Sequence, residues 1–230
     1  GTPGEIVVYP ELDQPPRDYH NKRKVYITWT DAVDLSSGVK YYHISLNEPR
    51  ATANWDDVIT VEKGIYSRAI ESIPEGNNKI YLWAEDAVGN HGPEVFATIR
   101  IDLTETYFDA FYPSSDVWIT NLRPTCSILV NDTITGVDPL SIEYETSVSG
   151  EANLIGEWEQ VQESYAPGNS LRVVVVGWFR NGKDNYIRFR AKDLAGNDYG
   201  VSDAFNIWID AEAPRYRLKS PADEDDFQIN

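Results

Sequence analysis

The chain repeats itself, and this constrains its fold more than any other feature. Residues Asn77–Asn90 (NNKIYLWAEDAVGN) align without a gap on Asp184–Asn197 (DNYIRFRAKDLAGN), with six of fourteen positions identical. Each copy runs into an apolar segment ending Ile-Asp, at Ile101-Asp102 and Ile209-Asp210. Upstream of each, an apolar stretch ends in an acid and is followed by Ser/Thr-Gly-Val. These are Trp29-Thr30-Asp31 with Ser37-Gly38-Val39, and Val130-Asn131-Asp132 with Thr135-Gly136-Val137. The starts match as well, Tyr9-Pro10 and Tyr112-Pro113, and Ser220-Pro221 opens the tail. A period of roughly 100–108 residues is the size of a small domain rather than of a solenoid unit. The chain is expected to divide into repeat 1 (1–104), repeat 2 (105–212) and the start of a third repeat or a linker (213–230).

Within each repeat the signal is β. Apolar residues alternate with period two at Val25, Ile27 and Trp29, at Ile80, Leu82 and Ala84, and at Ile187, Phe189 and Ala191. Turn punctuation separates these runs, as in Ser36-Ser37-Gly38, Val88-Gly89-Asn90, Pro167-Gly168-Asn169 and Asn181-Gly182. No stretch holds a 3.6-residue period. The spacing predicts seven strands per repeat. In repeat 1 these lie near 5–9, 24–31, 38–46, 56–62, 64–70, 78–86 and 94–102; in repeat 2, near 117–120, 124–131, 139–148, 155–162, 171–179, 185–193 and 203–210. The implied class is all-β, two tandem immunoglobulin-like β-sandwiches.

The acid, Ser/Thr-Gly-Val, Ala-x-Asp-x-x-Gly-Asn and closing Ile-Asp together resemble the immunoglobulin-like repeats strung along bacterial and archaeal surface proteins, adhesins and secreted enzymes. Fibronectin type III domains are similar around Pro74–Ala84 but usually carry a corner tyrosine six residues before the alanine; here that place holds Asn78 and Asn185. The resemblance implies extracellular, cell-surface location and a structural or adhesive role. Such a fold also hosts binding heads and accessory domains of hydrolases, so function has to be argued from sites.

Composition narrows the partners. Thirty-seven acids against twenty bases give a net charge of −17, which opposes nucleic acid and anionic lipid. Nothing approaches the roughly 20 apolar residues of a membrane helix. Cys126 is the only cysteine, which excludes an internal disulfide and paired-cysteine metal sites; its alignment with Val25 makes it an inward-facing, inert thiol. There is no Met, and the chain opens Gly1-Thr2-Pro3-Gly4; a piece cut from a longer array is expected.

Catalysis finds no motif. His20, His43 and His91 lack partners at motif spacing, and no nucleophile elbow, zinc-protease helix or phosphate loop occurs. The expectation is a non-enzyme. The Asp86 and Asp193 turns read first as backbone-capping devices, with Gly89 and Gly196 supplying positive φ. They have a second use. In a sandwich of this type the loop after the second strand and the loop before the last strand share the entry end. The exit of repeat 1, Asp102 and Glu105, should therefore meet Asp132 and Asp193 of repeat 2. Four converging carboxylates would repel unless screened or bridged by a cation, and Ca2+ is the ion that oxygen ligands suit. The link Leu103–Tyr112, with Tyr107, Phe108, Phe111 and Tyr112, suggests a packed junction rather than a free hinge.

If Tyr42, Ile44 and Ile80, Leu82 face inward, then Tyr41, His43, Tyr81 and Trp83 share an outer face, a candidate surface for a glycan or a surface protein. The competing reading is ordinary β-propensity, or burial beneath a long loop. The same face of repeat 2 carries Glu143, Glu145, Arg188, Arg190 and Trp208 and reads as a solvated sheet. Asn131-Asp132-Thr133 is the one N-glycosylation sequon. The strand 171–179 is apolar on both faces and should need cover, which the 157–163 segment could supply. The role that unites these features is a stalk, spacer or surface-array element whose partners are neighbouring repeats, each sandwich adding about 35–45 Å of length at ~3.3 Å per residue.

Overall fold

Successive side chains of a strand face opposite ways, and the alternating runs of this chain each bury one side. Val25 and Ile27 go inward from one strand; Ile80, Leu82 and Ala84 do so from another. The computed structural model describes residues 1–11 and 15–215; the expected third-repeat start at Ser220-Pro221 lies outside them. Repeat 1 comprises β1 (Val7–Tyr9), β2 (Tyr19–His20), β3 (Val25–Thr28), β4 (Val39–Leu46), β5 (Ile59–Glu62), β6 (Ser67–Ile70), β7 (Gly76–Asp86) and β8 (Val95–Ile101). Repeat 2 comprises β9 (Tyr107–Tyr112), β10 (Trp118–Ile119), β11 (Thr125–Asn131), β12 (Glu143–Ser147), β13 (Glu159–Gln160), β14 (Ser170–Val176), β15 (Gly182–Ala191), β16 (Gly200–Val201) and β17 (Phe205–Ile209).

The two strand orders are the same. One sheet of repeat 1 runs β1-β3-β6 and the other β2-β8-β7-β4-β5; in repeat 2 the orders are β9-β11-β14 and β10-β17-β15-β12-β13, with β16 added to β15. In each repeat the chain enters on one sheet, meets Pro10 or Pro113, and crosses to pair in parallel with the last strand of the other. Proline has no N–H for a ladder, so the first strand stops there. Each sandwich fills its own core. One is built on Ile27, Tyr42, Ile80, Leu82 and Ile99, the other on Ile128, Ile142, Ile187 and Phe189. Cys126 lies in the second core. No helix among the described residues is long and apolar enough to cross a membrane.

Two expectations need correction. Residues 107–112 are not linker but β9, which pairs with β11; the link shrinks to 102–106. Tyr9-Pro10 ends β1 as Tyr112-Pro113 ends β9, so the repeat alignment already held this strand. The stretch near 117–120 is the short crossing strand β10 instead. Second, the Glu143–Arg190 face of repeat 2 is not a solvated sheet. Glu145 is 2% exposed. The loop between β12 and β13 folds over it, delivers the Gly156 and Glu157 N–H groups to Glu145 Oε1 at 2.7 and 3.1 Å, and sets Trp158 against Arg188 and Arg190, 4.9 and 4.4 Å from ring to guanidinium. On β14, the edge strand of its sheet, the Val174 N–H donates to Tyr165 Oη at 3.0 Å, while Trp178 stays exposed beneath the Arg123 guanidinium at 3.6 Å.

Candidate functional site

The junction is built from three chain ends. Strand β8 delivers Asp102; the loop leaving β11 holds Asp132–Gly136; the turn leaving β15 holds Asp193–Asn197. Because β11 and β15 both finish at the end where the chain enters repeat 2, their loops close on the exit of repeat 1. Asp102, Asp132 and Asp193 are all buried, and a carboxylate oxygen of each lies within 4.8 Å of the others. Glu105 is exposed and outside this group, a correction to the four-carboxylate expectation: a residue in a short link follows the backbone's turn, which sequence order does not reveal.

Local chemistry shapes each acid. Asp132 Oδ1 accepts from the N–H groups of Ile134, Thr135 and Gly136 at 3.1, 2.9 and 2.6 Å, an Asx turn tightened by Gly136 at φ +89°. Asp193 Oδ1 accepts from Gly196 and Asn197 N–H at 2.7 and 2.9 Å, and Oδ2 from Asn197 Nδ2 at 2.6 Å. Hydrogen bonds then cross the junction. Asn197 Nδ2 donates to Asp102 O at 2.9 Å and Thr104 O at 3.2 Å. Thr135 donates to Asp102 Oδ2 from both N–H (3.2 Å) and Oγ1 (2.6 Å). Thr106 Oγ1 donates to Ala191 O at 2.8 Å, and Asn21 Nδ2 of repeat 1 donates to Gly196 O at 2.8 Å. Burial raises the Asp132 pKa above the ordinary carboxylate value; the Gly136 N–H opposes this, while the neighbouring Asp102 and Asp193 add to it. The donors are all oxygen, which suits a hard cation such as Ca2+ rather than zinc. Three carboxylates meet only part of calcium's six to eight ligands, so water would supply much of the rest.

The equivalent turn of repeat 1 is capped by its own acid in the same way. Asp86 accepts from Val88 and Asn90 N–H and from Asn90 Nδ2, and the Asn90 side chain is the main cause holding its carboxyl down at about 2. An NMR titration should find Asp86 ionising near 2, and Asn90→Ala should return it toward the ordinary carboxylate value.

The outer face of repeat 1 is not an open ligand platform. Trp83 is 0% and His43 3% exposed, and only Tyr41 and Tyr81 keep partial access. The loop between β4 and β5 brings Trp55 over them, its ring 5.2 Å from His43 and 5.9 Å from Trp83. A covered His–Trp pair at the centre cannot stack a sugar. Asn131 is also removed from consideration as a glycan acceptor: it is 7% exposed within β11, with its amide committed to Asp109 and Ser170. Burial pushes the Cys126 thiol up to about 12, so it stays protonated and inert. One grouping escaped the sequence: His43 and His91 lie 5.5 Å apart, ring to ring, beside Glu85. The register of two strands and a return turn brings them together, and no motif spacing encodes that.

The strand order, its duplication and the split first strand define the class as tandem β-sandwich repeats of the immunoglobulin and fibronectin type III kind. No family model matches the chain, and no curated protein matches it either. Among solved structures it is similar to the fibronectin(III)-like modules of Clostridium thermocellum CbhA, at 11% identity over 94% of this chain and 100% of that one, with a TM-score of 0.34. It is also similar to the central fibronectin-III array of RIM-binding protein, at 12% identity over 92% and 70% with a TM-score of 0.33. A third similar structure is chitinase ChiA74 from Bacillus thuringiensis, at 19% identity over 89% of this chain and 28% of that one, with a TM-score of 0.33. The assignment of fold rests on the strand order, not on these superpositions.

Proposed function

We propose that this chain is a non-catalytic spacer of an extracellular surface protein, with repeats joined stiffly by a cation-bridged carboxylate junction. The observation that supports it is the buried Asp102–Asp132–Asp193 group, tied across the junction by Thr135 and Asn197. A flexible tether would have an exposed, Gly/Ser-rich link; here the five-residue link is hydrogen-bonded at Asp102, Thr104 and Thr106. Stiffness at the junction lets each repeat add length instead of coiling.

The experiment is a thermal melt of the chain in EDTA and in Ca2+ at fixed ionic strength, paired with Asp132→Asn. Ca2+ should stabilise the wild type by about 2.7 kcal/mol at one hundred times its Kd. Asp132→Asn keeps the Oδ1 acceptor but removes the charge, so it should not lose stability in EDTA and should lose the calcium response. The sign with pH follows from the raised Asp132 pKa. The folded state holds that proton more tightly than the unfolded state. In EDTA, the stability of the wild type relative to Asp132→Asn should therefore fall as pH rises from the ordinary carboxylate range through the folded pKa, and Ca2+ should flatten that fall. A wild type indifferent to Ca2+ would leave the hydrogen bonds alone to hold the junction and would sink the cation bridge.

A further inference from the structure

The outer face of repeat 1 gathers three side chains that the spacer role does not use. His43 on β4, Glu85 on β7 and His91 past the following turn each offer a ligand atom within 4.8 Å of the others. We propose that His43, Glu85 and His91 form a binding site for one divalent transition-metal ion of the zinc class, with Trp55 packed over it.

The backbone positions are set by the sheet. His43 is the cross-strand partner of Trp83, and Glu85 that of Tyr41, on the paired strands β4 and β7. Glu85 and His91 face each other across an antiparallel bridge, and Gly92 N donates to Ala84 O at 2.8 Å beside them. Such placement costs little ordering when an ion arrives. Two imidazoles and a carboxylate are a ligand set for zinc and its neighbours, with a fourth position left for water. His43 Nε2 lies 2.7 Å from Glu85 Oε2. Tetrahedral ligands at zinc distances sit about 3.3 Å apart, so a small side-chain opening of this contact admits the ion, and the neutral ring takes the tautomer that carries its one proton on Nδ1 and leaves Nε2 bare for the metal. On the far side of the ring, His43 Nδ1 lies 3.0 Å from Thr60 Oγ1. A hydroxyl donates or accepts as needed, so Thr60 can receive the Nδ1–H once Nε2 holds the metal, the outer contact that ligating histidines use. Entry is open, because His91 is exposed and the Glu85 side chain is 21% exposed.

The site belongs to repeat 1 alone. The ungapped alignment puts Lys192 at the place of Glu85, and the residue facing the Trp83 equivalent, Arg190, is Glu143, which that arginine already holds at 2.5 Å. An ammonium cannot ligate, so repeat 2 serves as an internal negative control. The nitrogen donors also separate this site from the all-oxygen junction.

The test uses the full chain in millimolar Ca2+, which occupies oxygen-only sites. Zn2+ titrated by calorimetry should bind once per chain, and Co2+ should give a tetrahedral visible spectrum. Co2+ should also quench tryptophan emission, since Trp55 and Trp83 lie 5.2 and 5.6 Å from the His43 ring. His91→Ala alters only an exposed side chain and should weaken Zn2+ at least tenfold; Glu85→Gln should weaken it too, and Asp132→Asn should leave it unchanged. The proposal is overturned by the absence of saturable binding up to millimolar Zn2+, by equal affinity in His91→Ala, or by loss of binding in Asp132→Asn.

Discussion

Arg188→Ala should lower the unfolding free energy of repeat 2 by about 3 kcal/mol. Glu145 Oε2 takes two donors from Arg188, Nε at 2.9 Å and Nη2 at 2.7 Å, while Oε1 takes the Gly156 and Glu157 N–H groups. Burial by itself pushes the Glu145 carboxyl up; Arg188 and the two N–H groups outweigh it and hold the carboxyl below its ordinary value. Alanine strips the counter-charge and leaves a carboxylate sealed under the β12–β13 loop. The figure sits at the low end for a broken buried pair because the Arg188 side chain is 26% exposed. The depressed pKa sets the pH window. The stability from this pair is present above the unfolded carboxylate pKa and is lost as pH falls through the folded one. The cost of Arg188→Ala, measured by urea unfolding, should therefore shrink in acid. The double variant Glu145→Gln/Arg188→Met removes both charges, keeps an amide oxygen for the Gly156 and Glu157 N–H groups and should lie closer to wild type than Arg188→Ala. A cost under about 1 kcal/mol for Arg188→Ala would place the pair with surface ion pairs and refute the account of the covering loop.

Asn185→Ala should cost about 2–3 kcal/mol, from orphaned buried backbone groups. Asn185 is buried at the start of the long strand β15. Its Oδ1 accepts from Arg180 N at 2.9 Å, and its Nδ2 donates to Arg180 O, Gly182 O and Ile207 O. One side chain thus ties the incoming loop to its own strand and to β17. Asn78 does the same in repeat 1, donating to Pro74 O and Gly76 O and accepting from Asn47 Nδ2. These asparagines stand where a corner tyrosine is usual in fibronectin type III domains, and both secure that corner by hydrogen bonds to backbone. Asn185→Asp keeps the acceptor, loses the donors and buries a charge, so it should be no better than alanine. Urea titrations of both variants check this; a loss below 1 kcal/mol for Asn185→Ala would mean the loop is held by other contacts.

Much of this was legible in the residues, and each part for a local reason. Val25, Ile27, Ile80, Leu82, Ile187 and Phe189 announce inward faces because a strand has period two. Asp86-x-x-Gly89-Asn90 and Asp193-x-x-Gly196-Asn197 announce turns because the acid caps backbone N–H groups two to four residues on. The meeting of Asp102, Asp132 and Asp193 was also reachable, since the end at which each loop lies follows from strand order alone. Glu105 was not, because the course of a five-residue link depends on what packs against it.

Sequence by itself determined the class, the duplication, most strands and the buried side of each, because those depend on residues a few positions apart. Tertiary structure decided what covers the outward sides. Trp55 and Trp158 come from long loops between the fourth and fifth strands of each sandwich, and they turn two expected surfaces into closed ones. It likewise set His91 beside His43, 48 positions away in the chain. Loop closure over such separations carries an entropic cost that only the assembled packing repays, so no local pattern in the residues records where those loops come to rest.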